Sequence, residues 1–382
     1  MSPRTPGALR LATAGIAIVG VCFGMARYGY GLLLPDARRE FGLSAALLGA
    51  VATASYVAYL AATGLTGALA ARAGPRRTAI AAGLLAATGM AIAGLSRSPA
   101  AFVVGVLIAG ASAGLALAPF ADAARAVPAA GRGRVLAAIS CGTGYGVALA
   151  APIAILAGAS WRSAWLAFAV AALAATWWAA RVLPRGDHAG ADRGRAWRTV
   201  LCRRSLPLLA GAVLIGAGSS AYWTFAVDYL AEAGALSATA GRGFLGVVGI
   251  ASILATLSGD LLGRVGAALA FRLAATTEAG ALVILALGPA SFGAAIASGV
   301  LFGAAYNAVL AIQAIWGTHL FASRPSLGIA AVMAANGAGF VIGPLCAGLL
   351  AGPLGLGAVL VLAAGLVAGA GLLAPREALV PR

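Results

Sequence analysis

The stretch GALAARAGPRR, Gly67 to Arg77, has a counterpart 192 residues further on, GDLLGRVG, Gly259 to Gly266. The shared frame is Gly-x-Leu-x-x-Arg-x-Gly, in which Gly67, Leu69, Arg72 and Gly74 fall on Gly259, Leu261, Arg264 and Gly266. The same shift lays Gly24, Tyr30, Asp36, Glu40 and Gly42 on Gly216, Tyr222, Asp228, Glu232 and Gly234. Further along, the offset drifts by two or three residues: GVL at 105–107 meets GVL at 299–301, and Gly142-x-Gly144 meets Gly337-x-Gly339. Glycines match easily in a chain that holds 54 of them, but Tyr, Asp, Glu and Arg recurring in order do not. The 382 residues therefore divide into two homologous halves.

Each half is built to lie in lipid. The chain is 62% hydrophobic and only 9% charged, too little charge for the surface of a soluble protein of this size. Apolar runs of about 20 residues recur throughout, each long enough to cross a bilayer as a helix. The expected fold is all-α, with twelve transmembrane spans at about 9–34, 45–71, 78–96, 100–122, 135–157, 164–182, 206–230, 241–262, 273–288, 291–316, 328–350 and 356–373. The first run has no A-x-A site leading to a soluble domain, so it reads as a span rather than a removable signal. Polar or Gly/Pro punctuation separates the spans, as in SRSP (96–99) and ASRPS (322–326).

The net charge of +16 comes from arginine alone, for the chain has no lysine. With the N-terminus in the cytoplasm, twenty arginines fall on the cytoplasmic side and five outside, the asymmetry that orients helical membrane proteins. Seven of the twenty lie between Arg181 and Arg204. The expected domains are thus a six-helix bundle at 1–183, a solvated cytoplasmic linker at 184–205 and a second six-helix bundle at 206–382. Six is even, so the two bundles run in the same orientation. The four cysteines show no C-x-x-C spacing, and His188 and His319 lie in or beside loops. No metal, no cofactor and no nucleic-acid partner is expected; the partners are a small molecule and the lipid bilayer, and the chain is expected to be a monomer.

Two parallel six-helix repeats joined by a basic loop resemble the major facilitator superfamily. The loop at 67–77 is similar to that superfamily's G-x-L-x-D-R-x-G-R-R signature, with Gly67, Leu69, Arg72, Gly74, Arg76 and Arg77 in place and Ala71 where the acid usually stands. The stretches ARYGYGLLLPDARREFGLS (26–44), GTGYG (142–146) and WRSAWLAF (161–168) resemble the YbfB/YjiJ-type branch. The resemblance implies a transporter of a bacterial inner membrane with both termini in the cytoplasm. It also implies a cytoplasmic gate containing the 67–77 motif, Arg264 and Asp122, and a central cavity lined by the first, fourth, seventh and tenth spans. That lining would bring together Arg27 and Tyr30, Ser112, Ser219, Tyr222, Trp223 and Thr224, and Tyr306, Asn307 and Gln313. Tyr56, Tyr59, Thr143, Tyr145 and Asn336 would reach in from flanking spans.

Arg27 is the outstanding residue. An ionised guanidinium in hydrocarbon costs from ~3 to over 10 kcal/mol, so intramembrane charges default to function. It lies eight residues before Pro35, ~12 Å at helical rise. On an ordinary helix, Phe23, Gly24, Tyr30 and Gly31 share its face. No acidic residue is expected at its depth, which points to an anionic substrate held by a fork of donors. The alternatives are a side chain that snorkels to the headgroups, or one that braces a neighbouring helix through its carbonyls. Asp122 and Arg125 are expected to pair locally. Glu278, about five residues into the ninth span, is a possible coupling residue. The leading function is secondary or facilitated transport of a small organic anion by alternating access. The competing readings are efflux of hydrophobic neutral or cationic compounds and a non-transporting sensor with a transporter fold. A P-loop pump would need a lysine, and a membrane enzyme would need a nucleophile–base set or metal ligands within the bilayer. Neither pattern is present.

Overall fold

The computed structural model describes residues 7–158, 160–184, 202–233, 238–257, 264–321 and 325–375. Among them the chain is helical throughout, as lipid demands of a backbone whose polar groups must bond to each other. Ten segments are long and apolar enough to span a membrane. In chain order, with one shorter helix, they are α1 (Ala8–Phe41), α2 (Ala45–Thr66), α3 (Arg72–Leu95), α4 (Pro99–Ala126), α5 (Arg134–Leu156), α6 (Trp161–Val182), α7 (Leu206–Glu232), the shorter α8 (Ala240–Leu254), α9 (Ala267–Leu287), α10 (Phe292–Leu320) and α11 (Leu327–Leu372). Most of the linker (185–201) lies outside the described residues, as do His188 and the Gly259–Gly263 part of the second motif.

Among the described residues, ten long segments stand where twelve spans were expected. The expected eighth span is seen only as α8 and a 3-10 turn, Ser252–Leu257, before the described residues stop. The expected eleventh and twelfth spans run together as α11, in which Gly355 alone leaves helical geometry, at φ 80° and ψ 155°. Helix starts follow local chemistry. The Ser98, Ser160 and Ser291 side chains accept the N–H of Ala101, Ser163 and Ala294, capping α4, α6 and α10. The α9 helix opens at Ala267, six residues before the expected 273, because Arg272 continues the helix rather than ending the loop.

The sequence repeat is a repeat of backbone. Gly74 sits at φ 79° and ψ 165°, and its counterpart Gly266 at φ 78° and ψ 163°. This conformation is open almost only to glycine. Gly74→Ala and Gly266→Ala should each destabilise the protein by about 1–3 kcal/mol. Gly280→Ala, in open helical surroundings, should not. Melting temperatures of the three variants check this.

The chain forms two compact units. One comprises Met1–Gly42 with Ala54–Asp192, the other Leu43–Thr53 with Arg193–Arg382. In the first, α1 and α5 cross glycine on glycine. A Cβ on Gly24 would stand 2.5 Å from the Gly146 Cα, and one on Gly146 would stand 2.1 Å from the Gly20 carbonyl oxygen. Gly20-xxx-Gly24 and Gly142-xxx-Gly146 are the small-residue spacings that let helices in lipid approach to backbone contact. In the second unit, α7 and α11 meet in the same manner. A Cβ on Gly216 would stand 2.3 Å from the Asn336 carbonyl oxygen, and one on Gly339 2.2 Å from that of Val213. The start of α2 belongs to this unit, where the Thr53 hydroxyl donates to the Val341 carbonyl at 2.7 Å.

Candidate functional site

Arg27 ends a π-helical stretch, Gly20–Arg27, inside α1. The Tyr28 N–H reaches back five residues to the Phe23 carbonyl at 3.1 Å. Such a bulge holds one residue more than an α-helical turn and rotates whatever follows. The rotation decides which ring meets the guanidinium. Arg27 Cζ lies 5.6 Å from the centroids of both Phe23 and Tyr28. Tyr30, expected on Arg27's face, instead stacks on Phe102 at 6.3 Å. From α2, Tyr59 and Tyr56 close over the guanidinium at 4.2 Å and 4.4 Å, and Phe23 meets Tyr59 edge to face. Arg27 is left 8% exposed. A desolvated cation–π contact contributes about 2 kcal/mol, so two close rings offset much of the burial cost at its lower bound. The aromatic cage was legible only in part. Tyr56 and Tyr59 were expected as flanking residues, whereas Tyr28 reaches the cation through a π-bulge that no spacing rule announces.

The second unit carries a separate polar and aromatic array. Tyr222 on α7 stacks on Phe302 of α10 at 3.8 Å, Phe302 stacks on Tyr306 at 5.5 Å, and Trp223 meets both edge to face. The Tyr222 and Ser298 hydroxyls bond at 2.7 Å, and Ser298 donates onward to the Ala281 carbonyl at 2.7 Å. Phe302 and Ser298 were missed because in a buried run nothing distinguishes them from packing residues. Asn336 Nδ2 on α11 donates to Gln313 Oε1 on α10 at 3.0 Å and to the Val332 carbonyl. Gln313 Nε2 and Asn336 Oδ1 are buried without a hydrogen-bond partner among the described residues, leaving one donor and one acceptor to a visitor. Asn307 is half-buried. Ser112 donates to the Ala109 carbonyl of its own helix at 2.6 Å, a local use of its hydroxyl.

At the end of α4, Asp122 pairs with Arg125 at 3.2 Å. Nearby, the Arg132 guanidinium donates to the carbonyls of Ala124, Arg125 and Val127, capping the closing turn. In the 67–77 motif Arg72 and Arg77 are exposed and Arg76 half-buried, and the Thr78 hydroxyl donates to the Gly74 carbonyl at 2.9 Å. Arg264 is exposed in the second copy.

A clamp at the far end of α1 was not foreseen. Glu40 receives two N–H groups of Arg162 at 2.7 and 2.6 Å and the Trp161 indole N–H at 2.8 Å, while Arg162 also donates to the Ser96 carbonyl. Arg162→Ala should lower stability by about 1 kcal/mol, the upper range for partly exposed pairs, and Arg162→Lys by less, since lysine keeps the charge and loses only the fork. Thermal unfolding of both variants checks the order.

Ten apolar rods among the described residues, in two compact units and with a repeat that extends to the same unusual glycine backbone, define a multi-pass membrane protein. The chain belongs to the Major Facilitator Superfamily, which it matches over residues 16–326. Its fold is similar to that of the nucleoside transporter NupG, with a TM-score of 0.76 at 17% identity over 96% of this chain and 97% of that one. It is likewise similar to a bacterial homolog of the human lysosomal transporter Spinster in its inward-facing, unoccupied conformation, with a TM-score of 0.76 at 15% identity over 96% of each chain. No curated protein matches the chain by sequence.

Proposed function

We propose that the protein is a secondary transporter, with or without energetic coupling, that moves a small organic anion across a bacterial inner membrane, with Arg27 contacting the anion. In this reading it works as a monomer of two six-helix halves, 1–183 and 206–382, that alternate access to a midplane site. It sits with the YbfB/YjiJ-type branch by its 26–44, 142–146 and 161–168 stretches. The observation that carries the anion reading is the aromatic clamp on Arg27. Rings packed against the guanidinium at 4.4 and 4.2 Å restrict its position, and its N–H groups are a fork that matches a carboxylate. In the other unit, the stacked Tyr222, Phe302 and Tyr306, with Trp223 and the Gln313–Asn336 amide pair, form a second candidate substrate-binding array. The 67–77 motif, Asp122 and Arg264 would serve the cytoplasmic gate.

Proteoliposome uptake of labelled acetate, lactate, succinate and benzoate tests the proposal. At least one should enter wild-type vesicles faster than empty ones. Flux of none of the four, with flux of a neutral nucleoside or a lipophilic cation, would favour the second reading. That reading, efflux of hydrophobic neutral or cationic compounds, draws its support from the four-ring array. Binding without any flux would point to a sensor.

A further inference from the structure

Glu278 stands apart from the residues used above. It lies eleven residues into α9, ~17 Å along the helix, rather than five, because the helix starts at Ala267. It is 0% exposed. One carboxyl oxygen meets the Ser219 hydroxyl of α7, also mid-helix. The other has no hydrogen-bond partner among the described residues. Ser219 is the position that the internal repeat lays on Arg27. The two halves thus place their intramembrane charge-bearing groups differently: a cation on α1 in one, an acid on α9 facing the equivalent α7 position in the other.

Ser219 also donates to the Ile215 carbonyl at 2.7 Å. A hydroxyl has one proton and here stands between two acceptors. Both contacts are satisfied when Glu278 supplies a proton of its own, giving a chain from the Glu278 O–H to Ser219 Oγ and from the Ser219 O–H to the Ile215 carbonyl. A carboxylate in the same place would be dry and half-unsatisfied. Among the described residues, no charge from the packed elements faces it. On α7, Asp228 and Glu232 lie nine and thirteen residues beyond Ser219, ~14 and ~20 Å along the helix. Also on α7, the Tyr222 and Tyr229 hydroxyls are bonded to Ser298 and the Ala286 carbonyl. On α9 Arg272 is exposed. On α10 His319 is exposed with Nδ1 at the Ile315 carbonyl, and Tyr306 lies in the aromatic stack. On α11 Cys346 is exposed.

We infer that Glu278 is a proton-binding site that, held neutral against Ser219, locks α9 to α7 and makes movement of the helices, and hence transport, depend on protonation. The coupling half of this inference rests on the anion-transport reading; the proton site does not.

Infrared difference spectroscopy of the purified full-length protein separates the two. At neutral pH the wild type should show the C=O stretch of a protonated, hydrogen-bonded carboxylic acid that shifts in D₂O. The band should vanish in Glu278→Gln, persist in Glu232→Gln, and move to higher frequency in Ser219→Ala. Raising the pH should remove the band and lower the wild-type melting temperature, while Glu278→Gln, which keeps a donor for Ser219, stays flat. Absence of a Glu278-dependent band, or a band that survives until the protein unfolds in alkali, overturns the proton site. In vesicles loaded with a pH-sensitive dye, any of the four acids that is carried should change internal pH with the wild type and not with Glu278→Gln. An equal pH change with both overturns the coupling alone. Flux of none of the acids overturns the anion reading and with it the coupling, and the infrared result still decides the proton site.

Discussion

Arg27→Ala should abolish carboxylate uptake while the protein still folds and inserts. Losing one partner of a buried charge-assisted pair costs about 2–5 kcal/mol, which is ~30-fold to ~4,000-fold in affinity. The empty place is small and lined by rings, so Phe23, Tyr28, Tyr56 and Tyr59 can close on one another without leaving an unpaired charge. Tyr59→Leu should weaken transport by a smaller factor, since it removes one ring and leaves the guanidinium. Initial rates in proteoliposomes, corrected for the amount of inserted protein, measure both. An Arg27→Ala variant that carries benzoate at the wild-type rate would place the anion site elsewhere.

Gly146→Val should have the largest structural effect. The new side chain would begin 2.1 Å from a backbone oxygen of Gly20 and 2.7 Å from its Cα, and backbone cannot rotate away as a side chain can. Overpacking costs about 1–3 kcal/mol where neighbours can adjust, and more is expected where they cannot. Separating α1 from α5 would also shift Gly24, one turn before Arg27, so any protein that survives should bind anions poorly. Yield of monodisperse protein on size exclusion, followed by its melting temperature, reports the effect. Gly216→Val, at the equivalent crossing in the second unit, should behave alike. A Gly146→Val variant that melts with the wild type would mean that α1 and α5 tolerate a wider separation.

These two positions show what could be read from the sequence and what could not. The repeat was legible because its residues have no freedom: Gly24 and Gly216 face a neighbouring backbone, and Gly74 and Gly266 hold a conformation that other residues avoid. Apolar length revealed the spans, since lipid accepts little other than helix. Their ends were less legible. Pro35 and Arg272 look like breaks, yet both lie inside helices. Arg27 was conspicuous as a charge among apolar residues, but its surroundings depend on a π-bulge that arises where α1 packs on α5, so Tyr28 rather than Tyr30 closes over it. Glu278 was visible and misplaced by six residues along its helix, and its partner Ser219 resembled any other serine. Glu40, Arg162 and Trp161 are far apart in sequence, and only the tertiary fold brings them together.

The most direct test of the anion site is thermal stabilisation by acetate, lactate, succinate and benzoate, measured on the wild type and on Arg27→Lys. Lysine keeps the positive charge and loses the planar fork. One or more of the acids should raise the melting temperature of the wild type in a concentration-dependent way and leave Arg27→Lys unmoved. Stabilisation that survives the lysine substitution, or that none of the acids produces, would contradict recognition of an anion by Arg27.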